Sequence, residues 1–138
     1  PVGDTDSEAA FCDLLNRVRS DFPDRVEAPD LLPHLLDACA GYRASGVFNC
    51  LLSNGEWLFS FCTTKLAQVT RRAPFGPAQL KDAELTVDFN AETTPEDVVT
   101  VLATEALTDN EQWDIHQPGE WTLWQRGECV ARGQVAAC

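Results

Sequence analysis

The sequence predicts an α+β fold in which two helices come first and a mainly antiparallel sheet follows. Over roughly the first 45 residues, apolar side chains recur at the three- and four-residue spacing of a buried helical face. From residue 47 onward, short apolar or alternating runs are separated by turn residues, a pattern that is typical of strands. Helices grouped before strands favour two helices packed on one antiparallel sheet.

The first predicted helix begins with Thr5 and Glu8, which stand at the T-x-x-E spacing of a capping box. In such a box each side chain can satisfy an unpaired backbone N–H at the helix start. The buried face of this helix is predicted to consist of Phe11, Leu14, Leu15, Val18 and Phe22.

Asp6 lies between these two capping residues and has no evident local role in the sequence pattern. The field at a helix N-terminus keeps a carboxylate ionised. Asp6 therefore suits a site that holds a cation such as an α-ammonium group. The alternative is that Asp6 only complements the helix dipole, since acidic residues are common in first turns.

The second predicted helix is expected to be capped by Asp30, to tolerate Pro33 in its first turn and to end at Gly46. Residues 23–29 are expected to form a polar connector rather than a domain boundary. The apolar face of this helix is predicted to consist of Leu32, Leu35, Leu36, Cys39 and Tyr42.

The strand predictions rest on β-branched and alternating runs. The predicted strands are Val47–Leu52, Glu56–Cys62, Ala67–Arg71, a strand through Leu85, Val87 and Phe89, Val98–Thr104, Trp121–Gln125 and Glu128–Ala131. Asn54-Gly55 predicts a type I′ hairpin turn between the first two, and Arg126-Gly127 is expected to join the last two. Val98–Thr104 is apolar and β-branched, so we expect a central strand buried on both faces.

Composition indicates a single domain of 138 residues, long enough to bury a core. Twenty-two acidic against ten basic residues give a net charge of −12. Such a surface repels phosphates, so neither nucleic acid nor an acidic membrane is an expected partner. The sequence has no apolar run near the roughly 18 residues that span a bilayer, and no basic segment followed by an apolar one to indicate a signal peptide. A cytoplasmic location is the expectation.

The six cysteines form no C-x-x-C pair and no Cys/His cluster of the zinc type, so we expect neither a metal site nor a cofactor. Cys12, Cys39, Cys50 and Cys62 lie in apolar patterns, where a thiol acts as a small buried hydrophobe. Cys138 is expected to be exposed.

Three other groups of residues have a possible site role and a structural alternative. Arg71-Arg72 could hold a carboxylate or phosphate, or could be an edge-strand pair that screens an acidic surface. Three tryptophans could line a pocket or pack across strands. Five acidic residues in turns are expected to form a solvated face. The three tryptophans are Trp113, Trp121 and Trp124. The five acidic residues are Glu92, Glu96, Asp97, Asp109 and Glu111.

The run Thr5-Asp6-Ser7-Glu8 before a helix resembles the segment with which class II glutamine amidotransferases open a helix. Further stretches in the same order resemble the small stand-alone bacterial members, so the resemblance covers nearly all 138 residues. They are Gly46-Val47-Phe48-Asn49, Ser53-Asn54-Gly55, residues 70–76 (TRRAPFG), residues 93–101 (TTPEDVVTV), Ala103-Thr104 and residues 107–111 (LTDNE).

The resemblance implies hydrolysis of the side-chain amide of glutamine or a γ-glutamyl compound by an N-terminal Cys, and it gives Asp6 the role of holding the substrate α-ammonium group. In the family the nucleophile, a substrate-binding Arg and an oxyanion Asn-Gly pair precede the T-D-S-E run, whereas this chain begins at Pro1. Residues 1–138 are therefore expected to be the second half of an α-β-β-α N-terminal-nucleophile sandwich, with no catalytic residue of their own.

This expectation leaves two interpretations of the chain's function. Either the chain is part of an amidotransferase domain, or the chain is a non-catalytic piece. In the second case it is truncated or pairs with a separate chain that carries the first half. Alone it is expected to lack glutaminase activity and to expose apolar surface that favours self-association.

Overall fold

The computed structural model describes residues 1–24, 26–75, 77–80, 86–87 and 94–136, with the backbone alone at 86 and 87. The chain divides into a helical unit, Pro1–Phe48, and a strand unit, Asn49–Ala137. The helical unit contains α1 (Asp6–Asp21) and α2 (Ala28–Ser45). All strand pairings in the strand unit are antiparallel. The predicted α+β class is therefore confirmed, although the described strands form three sheets rather than one.

Helix α1 buries one stripe, as its apolar spacing predicts. Leu14 is buried, and Leu15, Val18 and Phe22 are half-buried. The exception is Phe11, whose 49% exposure contradicts its predicted place in the core. Phe11 lies near the N-terminal end of the stripe, where spacing alone does not show how far a helix is covered.

Helix α2 begins two residues before Asp30, so the predicted cap is wrong. The N-cap is Glu27, whose backbone carbonyl accepts from the N–H groups of Asp30 and Leu31 at 3.2 and 3.1 Å. Pro29 is tolerated in the first turn because no intrahelical bond needs its missing N–H. Pro33 lies inside the helix rather than in its first turn. The helix ends at Gly46 as predicted.

The buried face of α2 is displaced slightly from the predicted one. Leu35 and Cys39 are buried as expected, and Leu31 and Ala38 join them. The other predicted members of the face are half-buried: Leu32, Leu36 and Tyr42.

Polar and ring contacts connect α1 to α2 at two places. The Tyr42 hydroxyl donates to Asp13 Oδ2 at 2.6 Å, and Arg17 Nε donates to the same oxygen at 2.8 Å. The rings of Phe22 and His34 meet edge to face at 4.7 Å between centroids. His34 is exposed.

The described strands are β1 (Cys50–Ser53), β2 (Leu58–Phe61), β3 (Ala67–Arg72), β4 (Ala78–Gln79), β5 (Thr86–Val87), β6 (Val98–Ala103), β7 (Asp114–Ile115), β8 (Glu120–Gln125) and β9 (Glu128–Gln134). They form a four-stranded sheet in the order β1-β2-β8-β9, a three-stranded sheet in the order β6-β3-β7, and the pair β4-β5. Leu85 and Phe89 of the predicted alternating strand lie outside the described residues.

The core of the four-stranded sheet lies on its two central strands. Phe59 and Phe61 of β2 are fully buried, and Leu123 and Trp124 of β8 are almost so. A polar pair lies among them. Ser60 and Thr122 face each other in the β2–β8 register, and their hydroxyl oxygens are 2.5 Å apart. Trp124 Nε1 donates to the Thr122 hydroxyl at 2.6 Å, so this buried indole N–H is satisfied.

The turn between β1 and β2 differs from the predicted type I′ turn. Ser53 pairs with Leu58, so the loop has four residues, 54–57. The Asn54 side chain accepts from the N–H groups of Glu56 and Trp57 at 3.0 and 3.2 Å. Asn54 is not among the described residues with positive φ, whereas a type I′ turn needs positive φ at both central residues.

The type I′ geometry is found instead at the predicted last hairpin. Gln125 pairs with Glu128, and Arg126 and Gly127 between them have φ of 50° and 78°. Thr100 donates its hydroxyl to the Gly127 carbonyl at 2.7 Å, and a Cβ on Gly127 would clash with the Val98 carbonyl oxygen. Gly127 therefore allows the turn to approach β6 closely.

Strand β6 is not the central strand that its composition predicted. Within the described residues it pairs with β3 alone and lies at one edge of the three-stranded sheet, and Val99 is exposed. The central strand is β3, between β6 and β7. A run of β-branched residues indicates a strand, but it does not fix the strand's place in a sheet.

No helix in the described residues is long and apolar enough to cross a membrane.

Candidate functional site

Asp6 is the first residue of α1 and is exposed. Thr5 is the N-cap, and its hydroxyl accepts from the Glu8 N–H at 3.3 Å, as the capping-box spacing predicts. Asp6 Oδ1 accepts from the Ser7 N–H at 2.7 Å, so the expectation that Asp6 has no local role is wrong for this oxygen. Oδ2 meets no donor in the described part of the chain, which leaves one carboxylate oxygen open to a cationic group.

The Glu8 side chain makes a different contact from the one a capping box predicts. Its Oε1 accepts from the Val2 N–H at 2.6 Å, and its Oε2 accepts from the Gly3 N–H at 2.9 Å. These N–H groups, Gly3 first, lower the pKa of the Glu8 carboxyl. A Cβ on Gly3 would meet Glu8 Oε2, so a larger residue there would need the flexible Glu8 side chain to shift. Glu8 thus fixes the chain that leads into Asp6.

The helix start combines three acidic residues, Asp4, Asp6 and Glu8, with the positive end of the α1 dipole. Glu8 is occupied by backbone donors, whereas one Asp6 oxygen meets no donor among the residues that the structure describes. Chemically, this arrangement can bind an ammonium group. Among the described residues, no group of three His, Cys, Asp or Glu side chains is placed to hold a metal ion.

Arg71 is engaged by the protein's own carboxylate rather than open to a ligand. Its Nε and one terminal nitrogen donate to the two oxygens of Glu111, both at 2.6 Å, and the side chains are 16% and 17% exposed. The Thr108 hydroxyl also donates to Glu111 at 2.6 Å, and Trp113 Nε1 donates to Thr108 at 2.8 Å. The Arg71 hydrogen bonds lower the pKa of Glu111.

Arg72 makes a similar but exposed pair with Glu128, with NH2 at 2.6 Å from Oε2. The alternative of an edge-strand arginine pair is correct in part. Strand β3 is central in its sheet, but β7 pairs with it only at Ala67 and Gln68, so in the described residues Arg71 and Arg72 have β6 alone beside them. Glu111, by contrast, is not part of the predicted solvated face. Of the other acidic residues in that group, Glu96 and Asp109 are exposed, Asp97 accepts from the Thr94 N–H and hydroxyl at 2.8 and 2.9 Å, and Glu92 lies outside the described residues.

The cysteines follow the predicted pattern in part. Cys39 and Cys62 are buried, and Cys12 and Cys50 are half-buried. Cys129 is exposed, and Cys138 lies outside the described residues. The tryptophans pack as the structural alternative expects: Trp124 is buried in β8, and Trp121 contacts the backbone of Gly133 across the β8–β9 pair.

A buried polar cluster around His116 has no signal in the sequence pattern. This residue is 2% exposed, and its Nε2 lies 2.6 Å from Gln68 Oε1. The partner is 48 positions away in the sequence, so no local spacing indicates the contact.

Replacing Thr5 with alanine is expected to lower the free energy of unfolding by about 1 kcal/mol, because the Glu8 N–H loses its acceptor. Urea unfolding measures the change, and Ser7→Ala is a matched control in the same turn. Equal stability of the Thr5 and Ser7 variants would contradict a capping role for Thr5.

The sequence and the fold can now be compared with known proteins. A family model described as class-II glutamine amidotransferases matches residues 1–138. The Escherichia coli K12 protein YafJ, provisionally named a glutamine amidotransferase, is 46% identical over 131 residues, which are 94% of this chain and 51% of that protein. A Haemophilus influenzae protein with the same provisional name is 35% identical over 95% of this chain and 45% of its own length.

A similar fold has been solved. The 2.0 Å crystal structure of a protein from Pseudomonas aeruginosa PA01, described as a predicted glutamine amidotransferase, matches with a TM-score of 0.86 and 69% sequence identity. The match covers 95% of this chain and 52% of that one, so the chain spans about half the length of the relatives it matches. From its first residue to its last, the chain belongs to the class-II glutamine amidotransferase family.

Proposed function

We propose that the domain to which this chain belongs hydrolyses the side-chain amide of glutamine or of a γ-glutamyl compound. The observation that carries the proposal is the family match over residues 1–138, which includes the T-D-S-E run at the start of α1. The chemistry would use an N-terminal Cys supplied by sequence outside these 138 residues.

The reaction would proceed through a covalent intermediate. The Cys thiolate attacks the amide carbon, the C–N bond breaks, and the nitrogen leaves as ammonia after gaining a proton. Water then attacks the resulting thioester, which releases glutamate and returns the thiol. Glutamine and water thus give glutamate and ammonia, and no cofactor is needed.

The proposed role of Asp6 is to hold the substrate α-ammonium group. Support comes from its exposed position at the positive end of α1 and from Oδ2, which has no protein donor in the described residues. Glu8 would hold the preceding segment in place through the N–H groups of Val2 and Gly3. A carboxylate at this point selects an amino acid or γ-glutamyl substrate with a free α-amine over a simple amide.

The test of the proposed reaction is an assay of ammonia and glutamate, made on a protein in which this chain follows a first half with an N-terminal Cys. Equimolar ammonia and glutamate are expected from glutamine, and much less ammonia from asparagine, which places its amide one carbon closer to the α-ammonium group. A folded protein with an intact Cys that releases no ammonia from glutamine or a γ-glutamyl amide would refute the proposal.

A further inference from the structure

Two crossing segments join the three-stranded and four-stranded sheets of the strand unit. Residues 62–66 lead from β2 to β3, and residues 116–119 lead from β7 to β8. Backbone hydrogen bonds connect them: Gly119 N–H donates to the Cys62 carbonyl at 2.7 Å, and His116 N–H donates to the Leu66 carbonyl at 2.9 Å. We refer to residues 62–66 and 116–119 as the junction.

The His116 side chain is buried within this junction. Gln68 Nε2 donates to Asp114 Oδ2 at 3.3 Å, which directs the Gln68 amide oxygen towards the histidine. His116 Nε2 must then carry the proton in their 2.6 Å hydrogen bond. Nδ1 is consequently the acceptor nitrogen of a neutral ring, and it is buried without a hydrogen-bond partner in the described part of the chain.

Three charged side chains surround the ring, one from each neighbouring strand. Asp114 and Glu120 favour a charged histidine, and Arg132 disfavours it. Arg132 is itself paired with Asp114 at 3.2 Å and with Glu120, so it compensates one of the two carboxylate charges near the ring. Although burial raises the pKa of Glu120, the Gln117 N–H and Arg132 bring it below its ordinary value.

Burial lowers the pKa of His116. The folded junction therefore holds a neutral imidazole at pH 7. Protonation would add a hydrogen to Nδ1, where no acceptor is in place, and would put a second cation beside Arg132.

We propose that His116 makes the junction pH-sensitive: its neutral ring holds the crossing segments together, and its protonation weakens them. The direction follows from linkage, since a base with a lowered pKa takes up its proton more readily when the junction opens. Stability from this group is complete above the unfolded pKa of about 6.5 and is lost as the pH falls below it. The carboxylates that stabilise the fold, Glu111 and Glu120 among them, lose their contribution to stability only as the pH falls below their ordinary pKa of 4.5.

The test is amide hydrogen exchange of the full protein at pH 7.5, 6.5 and 5.5, corrected for intrinsic rates. Protection of the His116 and Gly119 amides is expected to fall by up to about fivefold between pH 6.5 and 5.5, and by up to about tenfold between pH 7.5 and 5.5. These are the limits for one proton taken up by a group whose unfolded pKa is about 6.5. His116→Gln keeps a donor for Gln68 and should remove this dependence. His34→Gln, at the other histidine of the chain, should retain it.

A second measurement applies even if His116→Gln does not fold. The His34→Gln protein has a single histidine, so its imidazole proton resonance can be titrated without ambiguity. The expected midpoint lies below 6.5, at the pH where the fall in amide protection levels off. A midpoint at or above 6.5, or protonation that leaves the protection of Gly119 unchanged, would overturn the proposal.

Discussion

Asp6→Asn is expected to lower kcat/KM for glutamine by about 30-fold or more when this chain follows a first half that bears the nucleophilic Cys. Asparagine keeps the size of the side chain and an oxygen for the Ser7 N–H, but it removes the charge. An ammonium group left without its carboxylate costs roughly 2–5 kcal/mol in a closed site. Folding should hardly change, since one carboxylate in a first turn is worth only about 0.3–1 kcal/mol. Initial rates at several glutamine concentrations measure the effect.

Asp4→Asn is the matched control, because Asp4 carries the same charge two residues earlier in the sequence and lies outside the helix. It should leave kcat/KM nearly unchanged. If Asp6→Asn instead unfolds the domain and spares turnover, Asp6 only complements the helix dipole. If both variants lose activity equally, Asp6 only adds to a general negative field.

Arg71→Met is expected to lower the free energy of unfolding by about 2–3 kcal/mol. Removing one partner of a buried ion pair costs roughly 3–5 kcal/mol because the other charge is left uncompensated. The small exposed fraction of Arg71 and Glu111 lets water offset part of that cost. Methionine preserves most of the aliphatic length, so the loss reports the guanidinium contacts with Glu111. Urea unfolding at pH 7 measures the change.

The adjacent Arg72→Met variant tests whether burial is the cause. Arg72 also forms a two-bond contact with a carboxylate, but it is 60% exposed. Removing the Arg72 guanidinium should lower the free energy of unfolding far less than removing the Arg71 guanidinium, since water can replace an exposed partner. As the pH falls through the lowered pKa of Glu111, the Arg71 effect should shrink, because the carboxylate takes up a proton. Equal losses for the two variants at pH 7 would show that the pairing itself, and not its burial, sets the cost.

The sequence predicted those features of the fold that depend on local pattern. Helical periodicity reports which face is buried, so it identified Leu14, Leu35 and Cys39 correctly. It placed the start of α2 wrongly because a backbone carbonyl at Glu27, rather than an Asp30 side chain, accepts the first N–H groups. The prediction of a type I′ turn at Asn54 was also wrong. The Asn54 side chain accepts two backbone hydrogen bonds that favour a four-residue loop, and local turn statistics do not reveal them.

The site was predictable to the extent that its residues are neighbours in sequence. Thr5, Asp6 and Glu8 lie within one turn, and the cap of Thr5 follows from their spacing. The Arg71–Glu111 pair joins residues 40 positions apart, and the His116–Gln68 contact joins residues 48 apart. No spacing rule reaches over such distances, so these pairings become evident only once β3 is seen beside the segments that it contacts.

The hydroxyl pair of Ser60 and Thr122 bears on which strand alignments the chain can adopt. The flanking positions of β2 and β8 are large and apolar, so hydrophobicity alone would tolerate a slip of two residues along the strands. Such a slip would place Ser60 opposite Glu120 or Trp124 and separate it from Thr122. Either slip breaks the buried Ser60–Thr122 hydrogen bond, and a buried hydroxyl left without a partner costs about 1–3 kcal/mol. Two small polar side chains thus discriminate the native alignment from its nearest competitors, a task that the surrounding aromatic side chains cannot perform.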